Sequence, residues 1–569
     1  MKKKIFLCCF AAAALIATTS CSDFLTEEAE GQISPESFFQ TQDDLDMSVY
    51  ALYHQVEAYQ CNSNPMIVQC QGDDVTSTTG SNKAAYLSAD AYETPTDTKG
   101  IEQTWSRLYT VIQAANLIID NAANVPTTED EINEALGQAY YWRAFAYFSM
   151  VRIYGPLPLN LHNEADDNET TLTSVQGVYD QILEDLLAAD ACGLPAQYTE
   201  DYKAIDGANV YVSAQTVKAT LAAVYMSMAG YPLYQTDLYA TAASYAKEVI
   251  DGVENGTYDH ALLDDWDEVY NYSNNHHEET LLGIDYRSTT GGWNDYDSQL
   301  SSCHQLNTLS GWGDFLPERR YWANYPDGPR KDAVFAKQLL LADGVNCVDW
   351  WATTDGEPYD GTNAVVGDYR PMFVSFTVNS DLDGPYDYTE AFWTGMCINK
   401  RHQLIRYSEV LLWYAESAAR AGSSLTDARS ALKQVMERAY DDQTVVDAVD
   451  SMTADEVAEQ AWLEHGYEVA GYTIAMVTRR HDEFRLERLK ENYEYRTGSQ
   501  SEVLVPAGTY TCSRDDNGDA FTYYTTEDLV LDEEMSVTTS WNDYSTIYQD
   551  YPPTEVEKNA NLARTSATE

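Results

Sequence analysis

The apolar residues of this chain recur at helical spacing, in segments that come in pairs. In IEQTWSRLYTVIQAANLIID the apolar positions are Ile101, Trp105, Leu108, Ile112, Ala115 and Ile119. Steps of three and four place them on one helical face. GQAYYWRAFAYFSMVRIYGPLPL repeats the pattern, and Pro156 and Pro158 predict a stop after Gly155. VSAQTVKATLAAVYMSMAGYP puts Val217, Leu221, Val224 and Met228 on one face and ends at Gly230 and Pro232, and ATAASYAKEVI supplies a partner with small alanines at the contact. LIRYSEVLLWYAESAARAG and DARSALKQVMERA form another pair around Gly422. Thr453 and Glu456 then make a capping box that opens ADEVAEQAWLEHGYEVA. These pairs have the character of tetratricopeptide pairs. They do not keep a regular period of about 34 residues, which predicts degenerate repeats broken by insertions.

The insertions are visible as losses of periodicity. From about Asn271 to Lys400 the chain turns rich in Gly, Asp, Asn, Tyr and Trp, and residues 497–553 look similar, with DDNGD as a hairpin turn. Long irregular segments on a rigid helical frame are where binding usually resides. The helical scaffold is expected mainly at 45–260 and 401–490, and the loop-rich insertions at 261–400 and 497–553, within one domain spanning 45–569.

The N-terminus, MKKKIFLCCFAAAALIATTSC, reads as a leader. Lys2, Lys3 and Lys4 precede a short apolar run from Ile5 to Ile16, and small polar residues lead to Cys21. The run falls short of the roughly 20 apolar residues that span a bilayer. Cleavage after residue 20 would leave Cys21 to carry acyl chains, and two or more chains hold a protein stably at a membrane. Residues 21–44, acidic and turn-rich, read as a tether. Cys8, Cys9 and Cys21 belong to the leader, and the other seven of the ten cysteines are scattered without zinc spacing.

Charge narrows the partners. The chain has 34 Lys and Arg against 91 Asp and Glu, a net charge of −57, which becomes −60 without the three leader lysines. Such a surface repels nucleic acid and anionic headgroups and disfavours polyanionic substrates. With 44% hydrophobic residues the chain is no disordered polyanion. Its aromatic set is dominated by 43 Tyr against 14 Phe and 12 Trp. Tyr and Trp join an apolar face to a polar handle, which suits wet binding surfaces as well as large cores.

Taken in order, CSDFLTEE, SPESFFQTQDDLDMSVYALY, TWSRLYTVIQAANLIID, YYWRAFAYFSMVRIYGPLPL, VYDQILEDLLAA, MAGYPL, EETLLGIDY, GWGDFLPE, GPRKDA and LIRYSEVLLWYAES resemble the SusD/RagB family of outer-membrane nutrient-binding lipoproteins of Bacteroidetes. The likeness runs from Cys21 to about residue 480, and YPPTEVEKNANL near the end fits too. QAWLEHGYEVAGYTIAMVTRR departs from it. The family usually carries acidic residues and then Gly-x-Arg there, whereas Gly471 is followed by Tyr472 and Thr473. The resemblance implies a mainly α fold, a right-handed superhelix of tetratricopeptide-like helix pairs with large irregular loops and minor β hairpins. It implies a non-catalytic protein that captures glycans, or sometimes peptides, at the cell surface, as a lid on a SusC-like TonB-dependent transporter. No cofactor or metal is implied. Trp105, Tyr109, Asn116, Arg143, Arg406, Tyr407 and Glu416 are expected to fix helix packing.

No GxSxG elbow, HExxH helix or phosphate loop occurs. Carboxylates are too numerous for any pair to be singled out as a glycosidase acid and base. The adjacent His276 and His277 sit on a turn, where neighbours rarely face one metal. Sugar recognition needs aromatic faces for the C–H side of pyranose rings and planar polar groups for the hydroxyls, because a buried unpaired hydroxyl costs about 1–3 kcal/mol. Two stretches supply both. VQCQGDDVTSTTGSNKAAY offers Asp73, Asp74, Asn82, Lys83 and Tyr86. DYRSTTGGWNDYDSQLSSCHQLNTLSGWGD offers Tyr286, Arg287, Trp293, Asn294 and Tyr296, with Trp312 either facing ligand or packed in the core. Trp350, Trp351 and Tyr359 are secondary candidates that could equally contact a transporter.

Overall fold

Local chemistry sets the helix ends. Helix α1 (Gln42–Gln60) opens on a capping box: Thr41 accepts from the Asp44 backbone N–H, and the Asp44 carboxylate accepts from the Thr41 N–H. It therefore starts inside the stretch read as tether. Helix α2 (Lys99–Asn121) buries Ile101, Trp105, Leu108, Ile112 and Ala115, most of the face the spacing predicts. Helix α3 (Glu129–Tyr154) carries three acids in its first turn and Arg152 in its last, matching the helix dipole, and stops at Gly155 with φ +73°. Helix α4 (Val175–Ala191) packs on α3, helix α5 (Ala214–Ala229) on α4, and helix α6 (Leu238–Glu254) on α5. Helix α7 (Tyr407–Arg420) packs on α6, helix α8 (Leu425–Ala439) pairs with it around Gly422, and helix α9 (Ala454–Glu468) covers α7. The short helix α10 (Arg479–Arg485) follows. At α9 the predicted capping box is present, with the Thr453 hydroxyl accepting from the Glu456 N–H at 3.3 Å and the Glu456 carboxylate accepting from the Thr453 N–H at 2.7 Å.

The computed structural model describes residues 38–77, 80, 82–93, 99–163, 170–286, 297–306, 309, 311–336, 338–340, 347–351, 353–354, 357–358, 370–378, 386, 397–498, 502–513, 520–525, 528–530, 541 and 544–563. The fold is mainly α, with each long helix laid against the next in sequence. Between α6 and α7 the described residues hold short helices and strands. The most buried of these, β1 (Thr280–Ile284) and β2 (His402–Arg406), form an antiparallel ribbon with Ile284 opposite His402 and Thr280 opposite Arg406. Toward the C-terminus β3 (Gly508–Ser513) and β4 (Ala520–Thr525) pair antiparallel; the DDNGD turn read from the sequence lies outside the described residues.

The residues expected to fix packing are all buried: Trp105, Tyr109, Asn116, Arg143, Arg406, Tyr407 and Glu416. Arg143 on α3 makes a two-pronged pair with Asp185 on α4, at 2.9 and 2.6 Å, and donates to Asn116 on α2. One side chain thus ties three successive helices. Glu416 on α7 takes both prongs of Arg485 on α10.

A larger ionic knot sits where β1, β2, α8 and α9 meet. Arg406 reaches Glu279 at 3.0 Å and Glu468 at 2.9 Å; Arg438 reaches Glu279 at 2.7 Å and Glu468 at 3.2 Å; Arg330 reaches Glu464 at 2.5 Å and Glu468 at 2.9 Å. Burial works against the Glu279 charge, but Arg438 and Arg406 outweigh it and bring its pKa down to about 2. The knot locks the ribbon to the helical frame. Breaking such a buried pair costs about 3–5 kcal/mol, because the partner charge is stranded.

Candidate functional site

An open cleft of about 1000 Å³ lies between α1, the segment 201–211 and the exposed end of β1. On α1, Leu45, Val49, Leu52 and Val56 fill the core. That leaves Met47, Tyr50, Ala51, His54 and Glu57 as a second stripe at helical spacing, facing the cleft. The opposite wall is Asp201, Tyr202, Ile205, Val210 and Tyr211. The floor is Gly283 and Ile284 of β1, then Asp285 and Tyr286, with Tyr272, His276 and Asn399 alongside.

The wall is braced from behind. Tyr53 stacks on Tyr211 with ring centres 4.8 Å apart and planes 13° off parallel, and Tyr211 meets Tyr202 edge-on at 6.3 Å. The Tyr53 hydroxyl donates to Gln138 of α3 at 2.6 Å. Lys203 lies 5.5 Å from the Tyr202 ring centre and pairs with Glu134 at 2.6 Å. Tyr50 and Tyr202 remain exposed, at 45% and 44%. On the floor, His276 Nε2 is 2.7 Å from the Asp285 carboxylate, and the fully buried Arg401 sits 3.7 Å from its other oxygen. Arg401 fits beneath because residue 283 is glycine; a Cβ there would stand 2.2 Å from the guanidinium. Tyr272 donates to Asn399 at 2.7 Å, and Tyr286 donates to the Glu57 carbonyl at 3.1 Å while packing on His402. The cleft thus pairs six tyrosine rings with carboxylates, amides and imidazoles, the combination that sugar C–H faces and hydroxyls require.

The structure divides the sequence candidates. Of those in the described residues, Tyr286 lines the cleft. Arg287, Trp293, Asn294, Tyr296 and Tyr359 lie outside the described residues, as does Cys21. In the other stretch most of the candidates are turned toward partners within the protein rather than to an open surface. Asp73 is held by Arg479 of α10 in a two-pronged pair at 2.8 and 3.0 Å. Asp74 is buried and accepts from the Gly471 N–H at 2.8 Å; burial, reinforced by the Asp73 charge, pushes its pKa up to about 7. Lys83 is buried on Asp314. Tyr86 is buried, 2.7 Å from the Ser63 hydroxyl and edge-on to Phe315. Asn82 is exposed on the turn before the short helix Ala84–Asp90. Trp312 is half-buried and packs on the main core. Trp350 is buried against Trp322 and Trp351, a packing cluster rather than a free platform.

Sequence reasoning passed over the α1 stripe and the 201–211 wall. The signal was available: α1 has aromatic and apolar residues on two faces, and only one can enter the core. Among the described residues no group of His, Cys, Asp and Glu could hold a metal ion, and no helix is long and apolar enough to cross a membrane.

Comparison with known proteins supplies the context. A family model described as starch-binding and associating with the outer membrane matches residues 23–226, and the SusD family model matches residues 349–566. A SusD-like protein P2 of Formosa agariphila is 25% identical over 437 residues, covering 75% of this chain and 80% of that one. A solved structure with a xylogluco-oligosaccharide superposes with a TM-score of 0.63 at 18% identity, covering 91% of this chain and 97% of the other. A laminarin-binding SusD-like protein does so at 0.62 and 20% identity, covering 81% and 95%. SusD family members are carbohydrate-binding proteins associated with the outer membrane. From its ordered motifs, its stacked helix pairs and these matches at both ends, the chain belongs to the SusD/RagB family.

Proposed function

We propose that this protein captures oligosaccharides in the tyrosine-lined cleft and passes them to a SusC-like TonB-dependent transporter. The observation that carries this is the cleft itself, open enough for several sugar rings and lined by six tyrosines among carboxylates and amides. The leader ending at Cys21 supports a lipid-anchored protein on the cell exterior. Trp293, Asn294, Tyr296 and Arg287 directly follow the Tyr286 floor in sequence and are proposed to extend the same surface. The role is binding without turnover.

Isothermal titration of the mature chain with xylogluco- and laminari-oligosaccharides tests the reading, alongside unlabelled peptides as a control. Saturable binding of a glycan, weakened by Tyr50→Ala, supports it. Glycan binding indifferent to the cleft, peptide binding alone, or hydrolysis of a labelled glycan would overturn it. Co-purification of a TonB-dependent transporter in mild detergent tests the hand-off.

A further inference from the structure

Most buried arginines described above face a carboxylate. Arg152 on α3 and Arg480 on α10 do not. Arg152 donates to the Phe148 and Met476 carbonyls at 2.8 and 2.9 Å and lies 3.6 Å from the Phe148 ring centre. Arg480 donates to the Gln71 side-chain oxygen at 3.2 and 2.9 Å and to the Arg152 carbonyl at 2.8 Å. Neither has a described carboxylate within ion-pair distance. Burial draws both guanidinium pKa values down to about 10, and burial together with these two charges pulls His481 well below the ordinary histidine range. Asp482 and Glu483 act on the two arginines only from beyond ion-pair distance, and the hydrogen-bond acceptors that hold both guanidinium groups are neutral oxygens.

A small cavity of about 20 Å³ lies beside them, lined by Gln60, Gln69, Ser149, Arg152, Thr473 and His481 among others. Among the described residues, three polar atoms on it have no partner: Gln60 Oε1, Thr473 Oγ1 and His481 Nε2. Their residues are 1%, 3% and 7% exposed. The His481 Nδ1 accepts from the Thr478 N–H at 3.3 Å, so Nε2 carries the proton and is a donor. The Thr473 hydroxyl rotates freely to donate. The Gln60 amide offers N–H to the cavity when turned over, since its two terminal atoms are alike in shape. A buried donor left unpaired is destabilising, because it has given up its hydrogen bonds to water. The space exceeds the roughly 10–15 Å³ that one water-sized guest needs.

We propose that this cavity binds a single small monovalent anion, chloride in ordinary media, held by the His481 Nε2–H, the Thr473 hydroxyl and the Gln60 amide beside Arg152. A halide accepts from several donors at once and supplies the charge that Arg152 and Arg480 lack. Water satisfies the donors but not the charge. The site is remote from the tyrosine cleft in its lining residues and acts as a structural pin joining α1, α3 and α10.

Crystals of the mature protein grown in sodium bromide give the direct test. An anomalous bromide peak in the cavity is expected, and water density without anomalous signal would overturn the proposal. In solution the melting temperature should rise saturably with chloride at constant ionic strength, gluconate being the replacement anion. Thr473→Val should weaken that chloride response at least tenfold. Melting that is the same in chloride and gluconate would overturn the proposal without recourse to any variant.

Discussion

Residues 69–87 and the chain leaving β1 at Asp285 carry the same mixture of carboxylates, amides and tyrosines, yet they fold in opposite senses. The first stretch is pulled inward by partners far away in sequence: Asp73 by Arg479, Asp74 by the Gly471 amide, Lys83 by Asp314. The second runs along the floor of an open cleft, where Tyr286 and Asp285 face α1. Composition tells that a stretch can bind polar rings. It does not tell whether the binding surface is turned to a ligand or to the protein's own interior. The deciding quantity is charge matching with distant segments, since a carboxylate buried without a partner is far costlier than one left in water.

The sharpest way to break this comparison is Arg479→Met. It leaves Asp73, whose side chain is only 17% exposed, without its cation and should cost about 3–5 kcal/mol of stability, read as a large fall in the denaturant midpoint. The folded fraction should keep its glycan affinity. Loss of affinity at unchanged stability would return the 69–87 stretch to the binding surface.

Next in size is the alkaline limb of stability. His465 is buried, which disfavours its charge, but Asp482 at 2.6 Å and Glu409 at 3.3 Å outweigh burial and raise its pKa to about 9. The folded value exceeds the unfolded one of about 6.5. Its contribution, about 3 kcal/mol, is therefore full below pH ~6.5 and lost as pH rises through about 9. Chemical denaturation between pH 6 and 10 should show this decline, and His465→Gln should flatten it. A decline of equal size in the variant would move the alkaline sensitivity elsewhere. Glu279 acts on the other side, its contribution present above its ordinary range and lost as pH falls toward about 2.

On the cleft side, Trp293→Ala should weaken glycan binding about thirtyfold, the effect of losing an interface hot spot of about 2 kcal/mol. Tyr50→Ala should weaken it about tenfold, or about 1.4 kcal/mol. Both should leave the melting temperature nearly unchanged. A large drop in melting temperature with unaltered affinity would make Trp293 a core residue like Trp350, and would narrow the cleft to its tyrosines.

The smallest effect belongs to local structure that involves neither region. Thr453→Ala removes the N-cap of α9 and should cost about 1 kcal/mol, with no change in ligand affinity at any concentration. If affinity changes as well, α9 transmits strain to the cleft floor through the Glu468 knot.

Much of the frame was legible in the amino-acid order, because helices are specified locally. The apolar face of α2, the stop of α3 at Gly155 and the Thr453–Glu456 box each depend on residues a few positions apart. The paired faces likewise announced which helices need neighbours, and the ordered motifs led to the family. What the tertiary structure alone decided was the direction of polar side chains. Asp73 finds its cation 406 positions away, and Arg330 finds Glu464 at a separation of 134. No local pattern encodes those encounters. The cleft arose the same way: α1 carries two usable faces, and only the packing of its core stripe against α2 and α3 determined that Met47, Tyr50 and His54 would be the face left for a ligand.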